Sequence, residues 1–141
     1  MVASVRMLPA LLWMYLLYRS SATPGLRGLP LVQRLGLLPP DLSPAAAWWI
    51  EMLLRKSAHM LAYAILAVLF AWAFSARRPR RTAFGAALVA ALLYAVTDEV
   101  HQSFVPTRQG VWYDVLIDGV GAALGLAALH RARGPCRPQQ T

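Results

Sequence analysis

Lys56, His59 and Tyr63 stand at i, i+3 and i+7, and Tyr94, Asp98 and Gln102 stand at i, i+4 and i+8. Either spacing puts its side chains on one face of a helix. Glu99 adds a second acid three residues before Gln102, and Asp114, Asp118, Gly121 and Gly125 follow as i, i+4, i+7 and i+11. Lys56 and Arg108 offer charge-assisted donors to a phosphate or carboxylate. Asp98, Glu99, Gln102, Asp114 and Asp118 can accept from amines and hydroxyls, and the four acids among them are hard oxygen ligands of the kind that hold Mg²⁺ or Ca²⁺. His59 with Asp98 and Glu99 could do general acid–base work, because paired carboxylates in a low dielectric can divide the acid and base roles. No Ser-nucleophile motif, H-E-x-x-H or P-loop pattern accompanies them. Ligand binding therefore leads, with catalysis and a structural, partner-docking role as alternatives.

The same residues have plainer uses. Arg55 and Lys56 can anchor a helix by snorkelling to an interface. Asp114 suits the first turn of a helix. Asp98 and Glu99 can be the acid ends of an ion pair with Arg108 or Lys56. Gly121 and Gly125 form a small-xxx-small pattern that lets helices pack closely. His101 is expected to face water or headgroups. Cys136 is the only cysteine and so has no disulfide partner within the chain.

What positions these side chains is a set of four apolar runs: Val2–Tyr18, Ser57–Ala76, Thr82–Val100 and Val111–His130. The last three approach the ~20 residues that span about 30 Å of hydrocarbon. The first is broken by Arg6 and Pro9; it reads as a retained helix, although Arg6, the short apolar stretch and Ser20-Ser21-Ala22 imitate a signal peptide. Composition agrees: 58% hydrophobic and 14% charged, against about 45–50% and 25% in soluble domains. Disorder and an ordinary soluble globule are both excluded on that ground. The predicted fold is all-α, a polytopic four-helix membrane bundle over 1–130 with a basic tail over 131–141. Residues 19–44 hold eight Pro and Gly and predict an irregular connection. Ser43 is placed to cap a helix that begins at Pro44. Ala45–Arg55 then forms an interfacial or extended lead-in to the second span, with Trp48 and Trp49 at headgroup level. A continuous helix to Ala76 would be about 50 Å long, too long to span upright, so a bend near Arg55 or an interfacial lead-in is expected.

Charge gives the orientation. Arg6, Arg77, Arg78, Arg80, Arg81, Arg131, Arg133 and Arg137 fall on one side of such a bundle with no acid among them. The positive-inside rule makes that side cytoplasmic, together with both termini. The other side carries the remaining six basic residues and all six acids, so the net charge of +8 is an orientation signal and not a nucleic-acid surface. The chemistry-bearing faces then share one depth at the outer side of the plasma membrane. Charges at membrane depth usually face the bundle interior and pair.

Three ordered motifs resemble one family. Lys56-Ser57-Ala58-His59-Met60-Leu61-Ala62-Tyr63 is similar to the K-x-x-H-x-x-x-Y segment of VanZ-like membrane proteins. Asp98-Glu99-Val100-His101-Gln102-Ser103-Phe104-Val105-Pro106-Thr107-Arg108 resembles their D-E-x-x-Q-x-F-x-P-x-R signature. Asp114 to Gly125 resembles their closing D-x-x-x-[N/D]-x-x-G-x-x-x-G. The resemblance covers residues 56–125. Arg55 stands where the family often has Asp, Thr107 where Gly is frequent, and Asp118 where Asn is common. The resemblance implies a four-helix membrane protein and a link to resistance against the glycopeptide teicoplanin. Lipid-linked cell-wall intermediates and lipid-tailed antibiotics carry polar groups at the depth of this motif set, and they are the partners expected beside the bilayer itself.

Overall fold

The computed structural model describes residues 2–23, 27–106 and 110–134, with residues 2–4 as backbone only. Its elements are α1 (Val2–Ser21), α2 (Leu29–Arg34), α3 (Pro44–Phe74), α4 (Arg80–Ser103) and α5 (Trp112–Ala132). No strand occurs among the described residues. Three helices, α3, α4 and α5, are long and apolar enough to cross a membrane. α1 has 20 residues but is not one of the three; Arg6, Pro9 and Arg19 interrupt its apolar run. By length and composition, three spans thus stand where four are expected.

Of the two shapes expected of α3, the bend at Arg55 is not seen. The helix runs unbroken for 31 residues, about 46 Å at 1.5 Å per residue. Kinks need a cause such as Pro, Gly or an inserted side chain, and α3 holds neither Pro nor Gly after its first residue. Its start is as the sequence predicts: Ser43 Oγ accepts from the Ala46 amide at 3.3 Å, with Pro44 at the first helical position. The long connection before it is also more ordered than predicted. It contains α2, whose first amides, those of Gly28 and Leu29, donate to the two carboxylate oxygens of Glu51 at 2.9 Å each. Glu51 thereby seats α2 on the projecting part of α3.

Small side chains set the helix spacing. Ala83, Ala87, Ala91 and Ala95 of α4 are almost wholly buried and recur every four residues, one stripe down the helix. On α5, a Cβ at Gly121 would meet the Met60 carbonyl, and one at Gly125 would lie 2.6 Å from the Ala64 carbonyl oxygen. α3 and α5 therefore touch backbone to backbone, a spacing only small residues permit. Between the helices sit Tyr63, Leu66 and Phe70.

α1 lies along α3 and α4. The Trp13 indole donates to the Ala62 carbonyl at 2.9 Å, Tyr94 OH donates to the Met14 carbonyl, and Ser21 Oγ donates to Asp98. The Arg6 guanidinium lies 5.3 Å from the Trp72 ring centre at the opposite end. That end is basic: Arg80 donates to the carbonyls of His130 and Gly134 at 2.7 Å each, closing the end of α5.

Candidate functional site

The motif residues meet at the end of the bundle away from Arg80, because α3 and α5 run in the same direction with α4 opposed. Residues 56, 59, 60 and 64 of α3 face 114, 118, 121 and 125 of α5. The glycine contacts thus fix the register that brings the polar pairs together one or two turns further out.

The deeper layer is centred on Asp98, only 3% exposed. One of its oxygens, Oδ2, accepts from Ser21 Oγ at 3.0 Å, Gln102 Nε2 at 3.0 Å and Tyr63 OH at 3.4 Å. The other oxygen, Oδ1, is buried without a hydrogen-bond partner. Helices α1, α3 and α4 are tied together through this one carboxyl group.

The shallower layer joins α3 to α5. Lys56 Nζ pairs with the Asp114 carboxylate and lies 4.9 Å from the Tyr113 ring centre. His59 Nδ1 is 3.9 Å from Asp118 Oδ1. Asp118 is almost fully buried, whereas Lys56, His59 and Asp114 keep between 22% and 29% of their side-chain surface exposed. Glu99 accepts from the Val111 amide just before α5. Gly110 supports that turn: a Cβ there would lie 2.8 Å from the Glu99 carbonyl oxygen.

Above these pairs lies a cleft of about 340 Å³, whose polar wall is Lys56, His59, Glu99, Gln102, Asp114 and Asp118 and whose rim includes Trp48, Arg55 and Tyr113. Its size falls in the usual range for small-ligand sites. Cationic and anionic groups stand side by side, so the wall can donate to an anion and accept from a hydroxyl or amine at once. Tyr63 and Asp98 lie beneath the cleft and not on its wall.

The sequence placed some partners differently. Lys56 pairs with Asp114 and not with Asp98 or Glu99, because α3 and α5 share a direction and a close contact that spacing alone does not reveal. Arg108 lies outside the described residues. Among the described residues no three of His, Cys, Asp or Glu converge so as to hold a metal ion; the four acids divide between the two layers, Asp98 and Glu99 accepting hydrogen bonds and Asp114 and Asp118 standing within ion-pair range of Lys56 and His59. His101 does not simply face water: its ring packs against that of Tyr18, tilted by 32° with centres 4.4 Å apart, and its Nε2 is buried. Ser21 and Glu51 are supports that motif spacing does not reveal. The signal for Ser21 is a polar pair, Ser20-Ser21, closing an apolar helix; Glu51 gives only the anomaly of an acid inside an apolar run.

The VanZ/LLP1 family model matches residues 7–133. No curated protein and no solved structure matches the chain. The matched stretch includes all three motifs and the helices that carry them, and the chain belongs to the VanZ/LLP1 family.

Proposed function

We propose that this VanZ-family membrane protein binds the polar head of a lipid-linked or envelope-associated ligand in an outward-facing cleft, and that glycopeptide (teicoplanin) protection follows from that binding. The observation that carries this reading is an open cleft walled by charged side chains at one end of a bundle of apolar helices. Polar side chains near a bilayer are costly unless they pair or serve a function. Here three protein donors take Asp98 Oδ2 beneath the cleft, while Lys56, His59 and Asp114 keep surface exposed beside it. Lys56 and Arg55 suit a phosphate or carboxylate; Asp114, Asp118 and Glu99 suit hydroxyls and amines.

In this reading α1 is a fourth, retained span. Its support is the line of contacts from Arg6 on Trp72 to Ser21 on Asp98, which follows the full length of α1. Both termini face the cytoplasm, the basic end being the inner one.

Lys56→Met and Glu99→Gln, made singly, test the site. The expected result is unchanged protein level with reduced teicoplanin protection of cells. Loss of level in both variants would assign these residues to folding, and unchanged level with unchanged protection would overturn the site. A second reading, acid–base catalysis, is favoured by one observation, the His59–Asp118 pair beside the cleft. Purified protein incubated with a lipid-linked phosphate substrate separates the two. Stoichiometric capture without product supports binding, and product formation lost in His59→Gln supports catalysis.

A further inference from the structure

A second cavity lies on the other side of α3. It is an apolar groove of about 620 Å³ between α1, α2 and α3, floored by Trp13, Leu17, Leu54, Ala58 and Ala62. It runs from the level of Glu51 to that of Ala62, 11 residues, or ~16 Å along the helix axis. Arg55 and His59 belong to both cavities, so the groove and the polar cleft meet across one turn of α3.

The outer mouth of the groove is cationic. Arg27 and Arg55 line it, both exposed, and no ion pair or hydrogen bond engages either guanidinium among the described residues. The one acid at the mouth, Glu51, has both carboxylate oxygens committed to the α2 amides. An anion placed there would meet two free forked donors, the geometry that suits phosphate, with its like charge already occupied. Directly below, the wall turns apolar.

We propose that the groove holds the alkyl chain of a phosphate-bearing lipid, with the phosphate at Arg27 and Arg55 and the remaining head group carried past Arg55 and His59 into the polar cleft. The chain subsite stands on the groove itself; its link to the cleft rests on the binding function proposed above. The two cavities then read the two halves of one amphiphile. Alkyl contact supplies affinity without selectivity, the arginine pair selects phosphate over a neutral head, and the polar cleft reads what is attached beyond the phosphate. Glu51 is a positioning residue here, since it holds α2 against Leu54 through Gly28.

The test uses the full-length protein in zwitterionic nanodiscs with a trace of a long-chain alkyl phosphate that carries a photoreactive diazirine midway along the chain. Cross-links are mapped by mass spectrometry. Label is expected to concentrate on Leu54, Ala58 and Ala62, at least fivefold over the open face formed by Val68 and Ala128. Ala58→Trp should reduce that label at least fivefold, and Arg27→Gln with Arg55→Gln should do the same with thermal stability unchanged. A neutral alkyl alcohol with the same chain should label no better than the doubly substituted protein does. Even labelling of all lipid-facing helices in the wild-type protein, which needs no variant to fold, would overturn the proposal. So would equal labelling by phosphate and alcohol. Lys56→Met should leave this head-group-free label intact. If the label behaves as expected but Lys56→Met leaves teicoplanin protection unchanged, the groove stands and the cleft function falls.

Discussion

At Asp98 three donors converge on one oxygen while the other has none. An amide keeps an oxygen for those donors, whereas a methyl group abandons them all. Each abandoned buried donor costs about 1–3 kcal/mol. Asp98→Asn is therefore expected to lose about 1 kcal/mol and Asp98→Ala about 3 kcal/mol or more, read as unfolding free energy in detergent. Equal losses would show that the three donors find other partners. At this scale the spacing in the sequence showed which residues could share a helix face, but not who meets whom. The spacing of Lys56, His59 and Tyr63 gave a shared face, but Lys56 turned to Asp114 and Tyr63 to Asp98. Partner choice depends on helix direction and rotation, which no single helix encodes. Ser21 was invisible as a partner because it lies 77 residues from Asp98.

Among the elements, the contact of α3 with α5 decides where the site forms. A helical Gly→Ala change normally gains about 1 kcal/mol of helix propensity. At Gly121 and Gly125 the added Cβ meets backbone of α3, which cannot move aside as a side chain can. Overpacking costs about 1–3 kcal/mol, so the clash wins. Gly121→Ala and Gly125→Ala are expected to lower the thermal midpoint, whereas Gly85→Ala, with open space around it, is expected to raise it slightly. A rise in all three would mean that the helices are not in close contact. The Gly121/Gly125 pattern was legible from the sequence as a packing motif, as were Ser43 and Pro44 at the start of α3. The alanine stripe of α4 and the α2 helix were not. Alanine carries no directional signal in a chain this apolar, and α2, at six residues, is too short to hold itself without Glu51.

For the whole molecule, the apolar composition and the long apolar runs were enough for an all-helical chain with membrane-spanning helices. They did not give the span count, because α1 sits at the margin of length and apolarity and its status depends on its packing against α3 and α4. The orientation has its own measurement. In a Cys136→Ser background, Phe104→Cys, at an exposed position near the cleft end, should react with an impermeant maleimide in intact cells. Pro79→Cys, at the basic end, should react only after lysis. The opposite pattern would invert the protein and place the cleft in the cytoplasm.

Lys56 and Asp114 are 58 residues apart in the chain, and that separation is also a delay. At ~5–20 residues per second, the acid emerges about 3–12 s after the base. Throughout that interval Lys56 and His59 of α3 lack Asp114 and Asp118, the partners that α5 brings later. The close glycine contact then locks a pairing that forms only once α5 has been made. The order of synthesis therefore leaves the Lys56 and His59 face of α3 to be covered last of all by α5 among the described helices, so a chain cut before Trp112 is expected to expose that face, read as faster proteolysis than the full chain.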